Sequence, residues 1–468
     1  MKRAVIIGAG VAGLAAAVRF ADAGWVPIVL ETRRKLGGRA TSFDDPRTGL
    51  RFDNCQHVVM GCCPNILDLY ARLGVLDRIR WHDSTWWADP PRRPARLRAA
   101  GLPAPLHAGP SFLRLRFLGV DDKLSIAQAM HRLIRMGFAG REAWIDRSFA
   151  EFLEETSQTA GARDLFWEPV VMGACNLRCA DVAANHAMQV FQEGFLAGPW
   201  HATVGVADID LASLLEPAEE IIRSAGGTIR LGTSVRGIAF DGIRANGVVT
   251  ERGLEHAGVI VSSVPADRLA KLSSKPMMAA DPRLRHLDSI GTSPILGVHL
   301  LFERPVLRDD RRHYPLITLP GRETHWFFDK GEVTLDGRTL HHVNAVISAA
   351  DEWMPLSEEE IGRRVVEDLH WALPASRGLH PVLVRSVKEK RATFRGVPGI
   401  DRLRPSSRPG GAGIPNLFLA GDWTDTGWPA TMEGAARSGY AAAAAAVGAG
   451  GIVPDVPPGR LVARLGLR

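Results

Sequence analysis

The sequence has no long hydrophobic run. No uninterrupted apolar stretch reaches the roughly 20 residues that a membrane-spanning helix needs, and the longest bland tract, Ala441 to Val447, is alanine-rich and reads as a packed helix. Cysteine is scarce. The five present are Cys55, Cys62, Cys63, Cys175 and Cys179. An odd number without a paired framework argues against a disulfide scaffold and for a reducing compartment. None stands in a Cys-x-x-C pair or at zinc-ligand spacing from a histidine, so buried thiols and no metal are expected. Internal repeats, long low-complexity tracts and any recognisable nucleic-acid module are missing too. One stretch also lacks acid altogether. Between Asp89 and Asp121 there is no Asp or Glu, while Arg92, Arg93, Arg96, Arg98, Arg114 and Arg116 all fall inside. The net charge of +6, from 57 Lys and Arg against 51 Asp and Glu, is therefore local.

What is present describes an ordinary globular protein, 46% apolar and 23% charged. At 468 residues the chain is long for a single core, and two interleaved domains are expected. The first forty residues carry the clearest signal. An apolar strand, Ala4-Val5-Ile6-Ile7, breaks into Gly8-Ala9-Gly10-Val11-Ala12-Gly13, continues as an Ala-rich helix to Asp22, and is followed by Ile28-Val29-Leu30 ending on Glu31. A strand, a glycine turn, a helix and a strand ending in an acid about 20 residues past the turn form a dinucleotide-binding unit. Gly8 permits the sharp turn, Gly10 lets a pyrophosphate approach backbone N–H groups at the helix N-terminus, and Gly13 lets helix and strand pack closely. Glu31 is placed to accept hydrogen bonds from a ribose hydroxyl pair, and its charge disfavours a 2′-phosphate. The competing reading of Lys2-Arg3 and the apolar run as a signal peptide fails on the three glycines that interrupt it.

Along the chain, Leu50 to His57 reads as a short hairpin that delivers Asp53 and His57 to one place. Pro64 to Val75 reads as an amphipathic helix ended by Gly74. Residues 81–110 change texture to Trp, Pro and Arg with little periodicity. Ser111 to Gly140 reads as two helices whose apolar residues are framed by arginine, either a core packing face or a surface for anionic membrane. Phe149 to Leu196 continues helical, with a bend at Trp167-Glu168-Pro169. Strands are expected at Thr228 to Leu231, Ser234 to Phe240 and Val259 to Val264, then at Ile295 to Phe302 and His342 to Ser348. A buried strand returning this late makes the nucleotide domain discontinuous. Residues 1–83, 206–265 and 406–450 are assigned to it, 84–205 and 266–405 to a substrate domain, and 451–468 to a C-terminal tail.

The glycine turn, Glu31 with Gly37-Gly38-Arg39, and Leu419-Ala420-Gly421-Asp422 with Glu433-Gly434-Ala435 and Ser438-Gly439 resemble the flavin-dependent amine oxidase and phytoene desaturase superfamily. Within it, Asp53 to His57, Leu73-Gly74 and Gly421 to Ala435 are similar to the hydroxysqualene dehydroxylases of bacterial hopanoid synthesis, with Cys55 standing where glycine is expected. The resemblance implies an α/β fold, a discontinuous Rossmann-type FAD-binding domain with an interleaved α+β substrate domain. It implies cofactor contacts from Gly8, Gly10, Gly13, Glu31, Gly38, Arg39 (to the pyrophosphate), Val235 (backbone to the adenine), Gly421, Asp422 (to a ribityl hydroxyl), Met432 and Glu433. The helix there would aim its N-terminus at the flavin edge where charge develops on reduction. Amine oxidases of the superfamily place an aromatic before that methionine. Here the residue is Thr431, which argues against amine oxidation. No cysteine follows Cys179, so FAD is expected to be non-covalent, and without a second fingerprint for NADPH the electrons are expected from an external donor.

The implied reaction is reductive dehydroxylation of hydroxysqualene, with His57 as candidate acid and Asp53 as an alternative that reads better as a structural cap. Desaturation of a carotenoid-like polyene is the alternative, and a non-catalytic basic lipid-binding flavoprotein is a third. A large apolar isoprenoid substrate implies a cytoplasmic protein held peripherally on the inner face of the membrane through residues of about 92 to 136, with no nucleic-acid partner.

Overall fold

The computed structural model describes residues 2–468. At its centre is a five-stranded sheet in the order Thr228–Arg230, Val26–Leu30, Arg3–Ile7, Val259–Ser262, Leu417–Leu419. Every pairing is parallel. Parallel strands are covered on both faces and so read as continuous apolar runs, as in Val5-Ile6-Ile7 and Val259-Ile260-Val261. Ile6, Val29 and Val261 face the helices Val11–Asp22 and Met432–Val447. Their neighbours Val5, Ile28 and Ile260 face an antiparallel meander of Val235–Phe240, Ala245–Thr250 and Gly253–His256. The sheet thus collects strands from three distant parts of the chain. Gly13 is the closest approach in this unit: a Cβ there would stand 2.0 Å from the Gly8 carbonyl oxygen.

A second, seven-stranded sheet runs Leu383–Phe394, Thr292–Phe302, Arg338–Ser348, Trp326–Leu335, Leu316–Thr318, Ser84–Trp87, Ala95–Arg98. All its pairings are antiparallel except Leu316–Thr318 with Ser84–Trp87. The aperiodic-looking stretch from 81 to 110 therefore contributes the last two strands. Helix Glu358–Ala372 covers one face of the sheet through Ile361, Val365 and Leu369.

The helical lobe packs around Phe149, Phe152, Trp167 and Phe191, whose rings stack or meet edge to face. Of the two helices expected between Ser111 and Gly140, the first is a single turn, Gly109–Phe112, followed by tight turns through Leu118, and the long one is Val120–Met136. It starts where the Asp122 carboxylate accepts the Gly119 N–H at 2.8 Å. At Trp167-Glu168-Pro169, where a bend is expected, a π-helical segment, Arg163–Trp167, leads into Glu168–Cys175. Pro169 follows directly on this irregular segment, where the α-helical hydrogen-bond ladder is already interrupted.

Candidate functional site

The C-terminal edge of the parallel sheet is organised by the glycine turn. The Gly8 N–H donates to Leu30 O at 2.8 Å, the Ser263 hydroxyl donates to Ile7 O at 2.8 Å, and Gly8 adopts φ +102°. Gly10 caps the helix Val11–Asp22 without any side chain, and its first turn contains no acid. Its leading N–H groups are unmatched donors aimed out of the sheet, as an anion site requires. The second glycine loop lies alongside: the Gly37 N–H donates to Ala9 O at 2.9 Å, and a Cβ on Gly38 would be 3.1 Å from the Gly10 Cα. This floor has room for backbone and ligand only, which fits a pyrophosphate.

Glu31 accepts the Ala9 N–H through Oε2 and the Arg33 N–H through Oε1, both at 2.8 Å. Each oxygen keeps a further lone pair for a ribose hydroxyl. The Thr233 N–H donates to Glu31 O at 2.8 Å and the Gly232 N–H to Arg33 O at 3.0 Å. These bonds lay the start of the Val235 strand beside Glu31, so the two residues expected at the adenosine end are brought together.

At the other end, the Gly421 N–H donates to the Ser438 hydroxyl at 2.7 Å, tying the loop to the helix Met432–Val447. Arg39 and buried Asp422 form an ion pair, and Arg39 also donates to Ala392 O at 3.1 Å. The residues expected to serve the pyrophosphate and the ribityl chain thus hold each other in this structure. Thr431 caps the helix, its hydroxyl accepting the Gly434 N–H at 3.0 Å.

Glu433, expected at the cofactor from its place in the first turn of the helix Met432–Val447, has its side chain committed elsewhere. Its carboxylate points away from the cradle and accepts the N–H groups of Asn65 and Ile66, both at 2.9 Å, and the Asn65 amide at 2.7 Å. Burial raises its pKa against the pull of these donors and of Arg437. The side chain caps helix Pro64–Arg72, leaving only its backbone for a cofactor.

Asp53 and His57 are separated in role. Ser42–Asp44 pairs with Arg51–Asp53, and the buried Asp53 carboxylate accepts from the Ser42 hydroxyl at 2.8 Å and the Leu211 N–H at 2.9 Å, with Lys330 at 3.3 Å. Each of these contacts is to the protein's own framework. His57 donates from Nδ1 to Cys55 O at 3.0 Å, and burial lowers its pKa. A neutral imidazole has no proton at Nε2 to give, which weighs against the acid role.

Several residues escaped the sequence reading. Buried Arg404 donates to the carbonyls of Asp422 (3.0 Å), Thr424 (2.6 Å) and Trp428 (2.8 Å) and to the Thr426 hydroxyl (2.9 Å), fixing the loop that leads to Met432. His299 is 2.9 Å from both His342 Nε2 and Asp53 O, beneath the hairpin. Nothing in the local sequence pairs these histidines. All five cysteines are free thiols, four of them buried.

A parallel sheet with an uncapped helix at its glycine turn, an acid closing the next strand and a second helix N-terminus brought in from the far end of the chain defines a dinucleotide-dependent oxidoreductase of the flavin type. The chain belongs to the flavin containing amine oxidoreductase family, whose model matches residues 11–447. It is an FAD-dependent oxidoreductase. It is similar to the hydroxysqualene dehydroxylase of Sinorhizobium fredii, 28% identical over 94% of this chain and 97% of that one. It is also similar to the 15-cis-phytoene desaturase of Synechococcus elongatus, 25% identical over 95% of this chain and 96% of the other. Among solved structures, cyclohexylamine oxidase from Brevibacterium oxydans shares the fold with TM-score 0.67 at 18% identity, over 96% of this chain and 99% of that chain. No helix among the described residues is long and apolar enough to cross a membrane.

Proposed function

We propose that the chain acts on a large apolar isoprenoid, and that its reaction is removal of the hydroxyl of hydroxysqualene to give squalene. The observation that carries this reading is Thr431. Where amine oxidases of the superfamily have an aromatic wall, this position holds a small side chain whose hydroxyl is engaged at the helix N-terminus. The near end-to-end similarity to a hydroxysqualene dehydroxylase supports the substrate. Bound FAD supplies hydride exchange. In the proposed step a C–O bond breaks, the hydroxyl leaves as water with a proton drawn from solvent, and hydride adds to the resulting carbocation, an external donor and a second solvent proton restoring the two electrons and the proton that the hydride carries away. The chain contributes the helix Met432–Val447, which would orient the cofactor, and the Arg404 fan that fixes the loop before it.

Similarity of equal extent to phytoene desaturases favours a second reading, loss of hydride and a proton from adjacent carbons of a polyene. Anaerobic incubation separates the two. Protein with dithionite-reduced flavin and hydroxysqualene is expected to yield squalene, while oxidised protein leaves phytoene unchanged. Desaturated phytoene with no squalene would overturn the proposal.

A further inference from the structure

A cavity of about 690 Å³ opens at the free edge of the seven-stranded sheet, between strand Ala95–Arg98, the turn after Ser111 and the loop at 311–312. No residue of the cofactor cradle lines it. The Ser111 hydroxyl donates to Arg98 O at 2.7 Å and accepts the Arg98 N–H at 3.1 Å, which pins the turn to the strand. Arg98, Arg114, Arg116 and Arg312 line this space, and none of them has an ion-pair partner among the described residues. Arg96 and Arg312 both stack on the Trp86 ring, 5.5 Å from its centroid. The carboxylates nearby are already used: Asp309 and Asp310 face Arg93, and Asp83 faces Arg96. Four unanswered guanidinium groups around one concavity repel one another unless an anion joins them, and their forked donors match a phosphate.

The rim beside this cavity is apolar. Leu113, Val120 and Leu124 are 67%, 74% and 64% exposed. The Lys123 ammonium donates to Leu113 O at 3.0 Å, which holds the start of helix Val120–Met136 against the turn carrying Arg114 and Arg116. Charge that binds phosphate and side chains that favour hydrocarbon therefore share one surface.

We infer that this cavity binds the phosphate headgroup of an acidic phospholipid while the neighbouring leucines enter the acyl boundary, which docks the protein on a membrane surface. The assignment does not depend on which reaction the cofactor site performs. The basic stretch seen in the sequence becomes a built pocket, with Arg312 added from a segment about two hundred residues away.

The test uses the full-length FAD-loaded protein and co-sedimentation with vesicles of phosphatidylcholine alone or with phosphatidylglycerol added. The wild type is expected to prefer the acidic vesicles and to release them at high salt. Arg312→Glu and the milder Arg98→Gln/Arg312→Gln are each expected to lower that affinity by roughly fivefold or more, with flavin absorbance and melting temperature unchanged. Arg408→Glu, the same charge change at an exposed site elsewhere, leaves it intact. Leu113→Ser/Leu124→Ser weakens binding to both vesicle types. Equal losses for Arg312→Glu and Arg408→Glu would show a net-charge effect and overturn the site. Binding of soluble glycerol phosphate without binding to vesicles would make it a pocket for free phosphates and overturn the docking role. Unaltered vesicle binding by the glutamine variant, should the glutamate variant not fold, overturns it too.

Discussion

At Gly10 the helix Val11–Asp22 begins with no side-chain cap and no acid in its first turn, whereas at Thr431 the helix Met432–Val447 begins with both. On the cofactor placement that the resemblance implies, the two N-termini serve different ends of one dinucleotide, and the contrast follows from charge. A pyrophosphate is a full anion at all times, so its helix keeps every leading N–H unspent. The flavin edge acquires charge only on reduction, so its helix can satisfy the Gly434 N–H internally and leave the earlier ones. The acid in that first turn does not oppose this, because Glu433 is turned onto a third helix, Pro64–Arg72, which has no side-chain cap of its own.

The largest break in this comparison is Gly13→Ala. A Cβ would meet the Gly8 carbonyl oxygen at 2.0 Å and the Ser263 hydroxyl at 2.5 Å. The first is backbone and cannot move without opening the turn, so a loss of more than about 4 kcal/mol is expected. The variant should purify colourless or not at all, and a yellow, normally melting Gly13→Ala protein would contradict the packing described.

Next is Glu433→Ala, which strands the Asn65 and Ile66 N–H groups in the core and should cost about 3 kcal/mol in denaturant unfolding. Glu433→Gln keeps an acceptor and should cost less. It should also remove a pH dependence. Burial raises the Glu433 pKa in the folded protein, so the folded state holds the proton longer and stability falls as pH rises from the unfolded value of about 4.5 upward. The glutamine variant flattens that slope.

Committed and free groups differ in the same way among the histidines. Burial lowers the His299 pKa to about 4 and drives that of His342 well below its usual value, with His299 itself adding to the latter. The unfolded chain therefore takes up protons between about pH 6.5 and 4 that the folded state refuses, and stability declines as pH falls through that window. For His299 alone the decline reaches up to about 3 kcal/mol. Urea unfolding at pH 7 and pH 5 should show it, and His299→Gln should lessen it. An unchanged slope would place the titration elsewhere.

Most of the adenosine half of the cradle was legible because it lies within the first forty residues, each part with a local signature: an apolar run, a glycine turn, a helix, an acid; Val235, far along the chain, was expected only from the resemblance. The flavin half was legible only as a motif. Glu433 looked like a cofactor residue because it opens a helix, but its partner Asn65 is 368 positions away, and no local pattern reports such a contact. Arg39 and Asp422, 383 apart, were assigned separately and meet each other. The strand Leu383–Phe394 was overlooked because Arg385, Lys388, Glu389, Lys390 and Arg391 make it read as solvated chain. It is an edge strand, only half-buried along most of its length, where charge is tolerated. Arg404 carries no signature at all, since its role consists of carbonyls presented by a loop 18 to 24 residues later.

Thr431 accepts the Gly434 N–H at 3.0 Å and donates to Pro429 O at 3.2 Å. Thr431→Ala should cost about 1 kcal/mol in stability and Thr431→Ser should recover most of it, as for other helix caps. If the cap only closes the helix and the flavin is served by the Met432 and Glu433 N–H groups, both variants should leave the flavin midpoint potential where it was. A shift of that potential in Thr431→Ala that Thr431→Ser reverses would mean that the cap sets how those N–H groups are aimed. The two N-termini would then differ in degree, the second being tuned by a hydroxyl where the first is left bare.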